Sequence, residues 1–159
     1  MVPSPCHDNQ GPHRDEGRGE ILAHCVPLFI GGYGEPRLRR LLRYGIGWTA
    51  GGITPDKVAE HATQVHRAWG EAGRYGKPRI VALAYFSLGA EAEERSYGFL
   101  RRYYAFGGKP DVVASRALRT AEALKNALTK YADAGVDELI LNPTVAELSQ
   151  LERLADTVL

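Results

Sequence analysis

The chain has 159 residues, which suits one domain with a single hydrophobic core. Hydrophobic residues make up 44% and charged residues 25%, and these ordinary values exclude a collagen-like, mucin-like or wholly disordered chain. Lys and Arg together number 20 and Asp and Glu 19, so the net charge is +1. A protein held by nucleic-acid phosphates usually carries a basic excess, so we expect no nucleic-acid partner.

The first twenty residues contain no apolar run long enough for a signal peptide. No stretch approaches the roughly 20 apolar residues that span a bilayer. The two cysteines, Cys6 and Cys25, are too few for a disulfide framework. These features predict a soluble, cytoplasmic protein with no membrane partner.

Residues 1–24 differ from the rest of the chain, because they are rich in Pro, Gly and charge and nearly devoid of large apolar side chains. Such a segment buries too little surface to offset its ordering entropy, which predicts a flexible tail. Five potential metal ligands lie in or beside it: Cys6, His7, His13, His24 and Cys25. Their spacing matches no zinc pattern, so we predict no metal site.

From residue 25 onward, predicted strands alternate with predicted helices. The apolar run 26–30, closed by two glycines, indicates a buried strand, and Glu35-Pro36 begins an amphipathic helix. Its outer face could be a phosphate patch, but the low net charge favours a solvated surface. Four arginines form this face: Arg37, Arg39, Arg40 and Arg43.

The central part of the chain predicts two more strands, at 45–48 and 80–86. The helix between them begins at Thr54, which is followed by proline and an acid, and ends at Gly73. His61 and His66 lie five residues apart on this helix and do not share a face, so we expect surface histidines rather than joint ligands.

The last part of the chain predicts helices over 91–104 and from Leu118 to Gly135, a strand at 136–141 and a final helix ending at Leu159. A glycine-rich loop at 107–110 separates the first two helices. Aromatic residues near this loop could line a pocket, although their spacing favours packing against the sheet. They are Tyr97, Tyr103, Tyr104 and Phe106.

Strands alternating with helices predict an α/β fold of parallel βα units with right-handed crossovers. There are four such units of about 34 residues, close to the roughly 31 per unit of an eightfold barrel. The fold class is therefore the C-terminal half, about four βα units, of a TIM barrel. A half-barrel has two open sheet edges, so it would close as a smaller sheet, dimerise or pair with a separate first half. It could also be a truncated product with little stability.

Four segments resemble luciferase-like monooxygenases, flavin- or deazaflavin-dependent oxidoreductases built on an eightfold barrel. The run 26–34 resembles the fifth strand of that family and its glycine loop, and 43–48 the sixth strand. Residues 71–81 and 131–140 resemble later helix-to-strand passages. The resemblance covers only the C-terminal half of the barrel, residues 25–159. At Ile46 the chain departs from the family, which usually has an acid there.

The resemblance implies which residues contact a cofactor. Gly31, Gly32, Tyr33 and Gly34 match the loop that contacts the phosphate tail of the flavin, and Gly47 and Trp48 match a neighbouring loop that closes beside it. Glycines let the backbone approach a phosphate closely, and a following helix N-terminus favours negative charge. Without the resemblance, the paired glycines indicate a tight turn, and Trp48 is expected to be a core residue.

The implied function is the C-terminal part of a flavin-dependent oxidoreductase that supplies the cofactor-phosphate side of the site for a small organic substrate. The expected cofactor is FMN, with oxygen insertion, or alternatively a deazaflavin coenzyme, with hydride transfer. No catalytic acid or base is assigned, because the first half of the barrel holds most reactive residues of the family. The alternatives are a non-catalytic half-barrel that self-associates or pairs with a partner subunit, a truncated inactive product, or a binder of phosphorylated ligands without redox chemistry.

Overall fold

A computed structural model of the chain describes residues 26–107 and 109–159. The predicted tail at 1–24 and the five potential metal ligands lie outside the described residues. Within the described part, no helix is both long enough and apolar enough to cross a membrane.

The fold is built on one sheet of four parallel strands. They are β1 (Phe29–Ile30), β2 (Gly47–Ala50), β3 (Arg79–Phe86) and β4 (Glu138–Pro143). Their order across the sheet, β1-β2-β3-β4, is also their order along the chain, and every neighbouring pair is parallel. Consecutive order is typical of a barrel wall, in which each βα unit lies beside the previous one. The predicted fold class is confirmed.

Helices connect and follow the strands. They are α1 (Gly34–Tyr44), α2 (Pro55–Glu71), α3 (Ala92–Tyr103), α4 (Pro110–Ala114), α5 (Ala121–Asp133) and α6 (Leu148–Val158), with a short 3₁₀ turn at Ala105–Gly107. The helix predicted to start at Thr54 does so, because Thr54 has extended backbone angles and Pro55 pre-sets the first helical turn.

The main core lies between one face of the sheet and helices α1, α2 and α5. Because paired residues of parallel strands point to the same side, Trp48, Ile80 and Leu139 share this face through the register of β2, β3 and β4. Trp48 and Ile80 are fully buried, and Val58 of α2 packs into the same cluster. Burial of these side chains from water holds the helices on this face.

The opposite face of the sheet is only partly covered. Leu83 and Tyr85 of β3 point to it and pack against α3, α4 and the turn that follows, in a second cluster containing Leu100 and Ala114. On the outer strand β4, Ile140 of the same face is 44% exposed. The segment from α3 to α4 therefore closes this face over β3 and leaves β4 open.

Arg74 joins the end of α2 to the end of α1. Its Nη1 donates hydrogen bonds to the carbonyl oxygens of Leu41 (2.9 Å), Leu42 (3.1 Å) and Gly45 (2.9 Å). The last carbonyls of a helix lack partners within it, and a guanidinium satisfies them with complementary charge. The guanidinium also lies 3.7 Å from the ring centroid of Trp69.

Several expectations about the elements need correction, and β2 and β4 each begin and end two residues later than predicted. The strand predicted over 26–30 is reduced to Phe29–Ile30, and Val26 is 73% exposed, since in the described part β1 has a strand neighbour on one side only. Leu118 is not helical but bridges Phe86 beside β3, because Thr120 caps α5 by accepting a hydrogen bond from the amide of Ala123. The predicted loop gives way at Pro110 to α4, which the sequence reading missed.

Candidate functional site

The candidate site lies where the strands end. The carboxyl ends of parallel strands meet at one edge of a sheet, and the loops that leave this edge build ligand sites in α/β folds. Two such loops are glycine-rich: residues 31–34 run from the end of β1 into the first residue of α1, and residues 51–54 connect β2 to α2. We call them the first and the second glycine loop.

The first glycine loop has a conformation that requires glycine. Gly32 has φ +90° and Gly34 has φ +72°, values that side-chain-bearing residues rarely adopt. Tyr33 is the N-cap of α1 but makes no side-chain cap, so the first amides of the helix are left for another acceptor. Arg40 is close by, with its Nη2 3.7 Å from where a Cβ on Gly32 would stand.

Trp48 of β2 fixes this loop through a hydrogen bond from its buried indole. Its indole Nε1 donates a hydrogen bond to the carbonyl oxygen of Gly32 at 3.1 Å, and its ring is fully buried. Tyr33 lies edge-on to the indole, with ring centroids 6.3 Å apart. His61 completes the cluster, 5.0 Å from the ring of Tyr33 and 5.7 Å from that of Trp48. His61 is thus half-buried, and the expectation that it is a surface histidine is wrong.

Arg37 supports the indole from the helix side. Its guanidinium carbon lies 5.0 Å from the ring centroid of Trp48, and its Nη2 donates a long 3.4 Å hydrogen bond to Gln64. The side chain is fully buried, so the expectation that Arg37 belongs to a solvated helix face is wrong. Burial lowers the pKa of this guanidinium, and the nearby hydroxyl of Tyr33 partly opposes the change. Its Nε and Nη1 have no hydrogen-bond partner among the described residues.

Gly47 and Trp48 lie in β2, so they belong to a strand as expected from residues 45–48, and the loop that the resemblance implied for them is wrong. Gly47 is the first residue of the strand and lies at the amino end of the sheet. A Cβ there would stand 2.1 Å from the carbonyl oxygen of Arg79 and 2.9 Å from the ring of Phe29, so glycine is required by packing. The cofactor contact expected of Gly31, Gly32, Tyr33, Gly34, Gly47 and Trp48 stays a prediction.

The second glycine loop follows β2 and is fixed by two side chains from later elements. Arg116 donates from Nη1 to the carbonyl oxygen of Gly52 at 3.1 Å, and the hydroxyl of Tyr131 donates to the carbonyl oxygen of Ile53 at 2.7 Å. Burial raises the pKa of the Tyr131 hydroxyl, and the positive charge of Arg116 opposes that rise. The loop is therefore held to α5 and to the segment that precedes it.

A pocket of about 300 Å³ opens between the second glycine loop and α5. Its floor is apolar and its rim carries two cations and an amide. The lining residues are Gly52, Ile53, Thr54, Pro55, Leu83, Ala84, Tyr85, Val113, Arg116, Leu118, Ala123, Asn126, Ala127, Lys130 and Tyr131. This volume is at the lower end of the range for small-molecule sites, which is about 300–1,000 Å³.

None of the four aromatic residues in and after α3 that could have lined a pocket lines this one, and two of them pack against the sheet as their spacing favours. Tyr97 and Tyr104 pack against the cluster on the open face of the sheet, whereas Phe106 is 85% exposed. The hydroxyl of Tyr104 shares a 2.8 Å hydrogen bond with that of Tyr85, which lines the pocket. Burial, followed by this hydrogen bond, raises the pKa of Tyr85 well above its ordinary value.

Sequence reasoning missed the second glycine loop, Tyr85, Arg116 and Tyr131. Gly51-Gly52 carries the same signal as Gly31-Gly32, namely paired glycines between a strand and a proline-containing helix start. Placing β2 two residues too early hid that signal. For Arg116 and Tyr131 no local signal exists, since both meet the loop across 64 and 78 residues of sequence.

A comparison with known protein families shows which family the chain belongs to. The family model for luciferase-like monooxygenases matches residues 4–151, nearly the whole chain. The chain belongs to the luciferase-like monooxygenase family. The match begins at residue 4, well before residue 25, where the sequence resemblance began. No curated protein sequence matches the chain.

Solved structures agree with this family on the fold. An F420-dependent secondary alcohol dehydrogenase, solved in complex with an F420–acetone adduct, superposes with a TM-score of 0.62 at 15% identity, over 84% of this chain and 49% of its own. Apo-MsnO8 superposes with a TM-score of 0.55 at 17% identity, over 82% of this chain and 50% of its own. The chain thus spans about half the length of these two structures. At such identities the likeness establishes the fold alone.

Proposed function

We propose that this chain supplies the cofactor-phosphate side of a luciferase-like oxidoreductase. In this proposal the first glycine loop contacts the phosphate of FMN or of a deazaflavin coenzyme. The observation that carries it is the loop itself: Gly32 and Gly34 at positive φ lead into an uncapped helix start, and Trp48 fixes the carbonyl of Gly32. Backbone amides and the helix dipole at such a place favour a bound anion.

The residues present fit a phosphate group. A ligand can approach closely, since both Gly31 and Gly32 are exposed and lack side chains. Arg40 adds a positive charge beside Gly32, and the Trp48 bond turns the Gly32 carbonyl, which would repel a phosphate, toward the core. The family match supports a cofactor of the flavin class at this loop.

The role of the chain in this proposal is binding and orientation. When bound, the cofactor would supply hydride transfer or, with flavin and oxygen, oxygen insertion. The first loop would hold the phosphate, and the second loop, fixed by Arg116 and Tyr131, would form the adjacent wall. Tyr85 is protonated at neutral pH, as any tyrosine is, and burial raises its pKa further, so its hydroxyl can donate to a ligand or to Tyr104.

The test is a titration of FMN, and separately of F420, with the full chain, followed by cofactor fluorescence. We expect saturable binding that Gly32→Asp abolishes, because the new carboxylate would stand where the phosphate lies and repel it. Gly76→Asp is the matched control: Gly76 also has positive φ, +72°, with open space around its Cβ, but lies in the α2–β3 connection at the other end of the sheet. Equal loss in both variants, or no binding by the folded wild-type chain, would contradict the proposal.

A second candidate is association through the open face of the sheet, with another copy or with a separate first half of the barrel. The observation that favours it is the outer strand β4, which among the described residues has a strand neighbour on one side only and exposes Ile140 on the face away from the main core. Exposed apolar surface on a sheet favours a covering partner. Sedimentation of the chain with Ile140→Lys tests it: we expect the wild type to self-associate with increasing concentration and the variant to stay monomeric. A monomeric wild type would contradict self-association.

A further inference from the structure

We infer that the pocket between the second glycine loop and α5 binds a carboxylate attached to a small apolar body. This inference adds a second ligand chemistry to the proposed function. It stands on the lining of the pocket, which does not include the first glycine loop.

The rim of the pocket presents more hydrogen-bond donors than acceptors, although the hydroxyl of Thr54 on the loop can do either. The carbonyl oxygens of Gly52 and Ile53 already accept hydrogen bonds, from Arg116 and Tyr131. Asn126 and Lys130 line the side formed by α5. A ligand at this rim therefore meets a guanidinium, an ammonium and an amide, which favours an oxygen anion.

The two cations carry uncompensated charge. Among the described residues, neither Arg116 nor Lys130 forms an ion pair, whereas five other basic residues do. The field of Arg116 extends across the site, since it opposes the rise in pKa of both Tyr33 and Tyr131. Asp56 and Glu122 lie in the first turns of α2 and α5, but the structure pairs neither of them with these cations.

The floor of the pocket favours an apolar body for the part of the ligand that lies beyond the carboxylate. Leu83, Val113 and Ala127 present apolar surface beneath the charged rim, and the Tyr131 ring adds an aromatic wall. A volume of about 300 Å³ admits a single ring or a short alkyl chain. A compact apolar acid satisfies both the rim and the floor, while an inorganic anion would leave the apolar floor unfilled.

Benzoate and the neutral benzamide are suitable probes, because they share a ring and differ in charge. We expect benzoate to shift the amide resonances of Ile53 and Ala127 in heteronuclear NMR spectra and to bind about tenfold more tightly than benzamide. Lys130→Gln should weaken benzoate binding about tenfold and leave benzamide unchanged. Lys125→Gln, an exposed position on the same helix outside the pocket lining, is the matched control and should change neither.

The carboxylate could belong to a free small molecule or to the cofactor tail, and comparing FMN with F420 distinguishes the two sources. The side chain of FMN ends at its phosphate, whereas that of F420 continues beyond the phosphate into carboxylates. If the carboxylate belongs to a free small molecule, Lys130→Gln weakens benzoate and neither cofactor. If the variant weakens F420 and leaves both FMN and benzoate unchanged, the rim holds the cofactor tail and the inferred apolar ligand is refuted.

Four results would overturn the inference: weakening of F420 but not of benzoate by Lys130→Gln, equal affinity for benzoate and benzamide, no shift at Ile53 and Ala127 with either probe or with F420, or equal weakening of benzoate by Lys125→Gln. Its failure is distinguishable from that of the proposed function. Benzoate binding with neither cofactor bound would leave the pocket standing and refute the phosphate loop. Cofactor binding with no response at the pocket would support the phosphate loop and refute the pocket.

Discussion

Replacing Trp48 by phenylalanine separates the structural role of the indole from its effect on the first glycine loop. The change removes the Nε1 donor to the carbonyl of Gly32 and leaves a void in a fully buried position. The void of about 40 Å³ costs about 1 kcal/mol, the lost apolar transfer about 1 kcal/mol, and the unpaired carbonyl at least about 0.5 kcal/mol, since Gly32 is open to water. We expect a loss of about 2–3 kcal/mol in the free energy of unfolding.

The assay pairs urea unfolding with cofactor titration, and Trp69→Phe is the matched control. Trp69 is 5% exposed and donates from Nε1 to the carbonyl of Tyr75 at 3.3 Å, in the turn after α2 and away from the glycine loop. Both variants should lose similar stability, with a fall in Tm of about 4–12 °C. Trp48→Phe alone should weaken FMN or F420 binding, by about tenfold, because a released loop must be ordered again on binding. Unchanged cofactor affinity in Trp48→Phe, or equal weakening in both, would refute the reasoning.

Three further predictions concern stability. Gly47→Ala should cost about 3 kcal/mol or more in urea unfolding, because the new Cβ meets the Arg79 backbone. Gly70→Ala in α2, with open space at its Cβ, should instead stabilise by about 0.5–1 kcal/mol. Equal effects of the two substitutions would contradict the packing argument. Arg74→Met should cost about 2 kcal/mol, because the carbonyl oxygens of Leu42 and Gly45 lose this donor while that of Leu41 keeps the Gly45 amide, and an unchanged urea midpoint would exclude this role. Burial raises the pKa of Tyr85 above its ordinary value, so its contribution is present below about pH 10 and is lost as pH rises toward the folded-state pKa. Tyr85→Phe should therefore reduce the loss of stability above about pH 10 in urea titrations, and an identical slope there would argue against the shift.

The alternation of strands and helices was predictable because each element carries its own local signal. The continuous apolar run of β3 and the Thr54-Pro55 start of α2 depend on neighbouring residues alone, and the structure has both. Two of the errors arose where a neighbour in space decides. Only Phe29–Ile30 of the run 26–30 forms a strand, because it lies at the edge of the sheet. Leu118, which the periodicity placed in a helix, instead forms a bridge with Phe86.

The site was predictable only in part. Gly31-Gly32 follows a strand and precedes a helix, and this local pattern gave the first glycine loop. Arg37 reads as one of four arginines on a solvated face, and only the packing of α1 against α2 buries it beside Trp48. Arg116 reaches the second loop from a turn that no sequence periodicity places.

The most direct test of the phosphate loop compares FMN with riboflavin, which has the same ring system without the phosphate. Both are titrated with the full wild-type chain under identical salt conditions, and bound flavin is measured by fluorescence. If the first glycine loop holds the phosphate, FMN binds at least about tenfold more tightly than riboflavin, and raising the salt concentration narrows the difference. Equal affinity for the two flavins would contradict the account, because binding would then owe nothing to Gly31–Gly34.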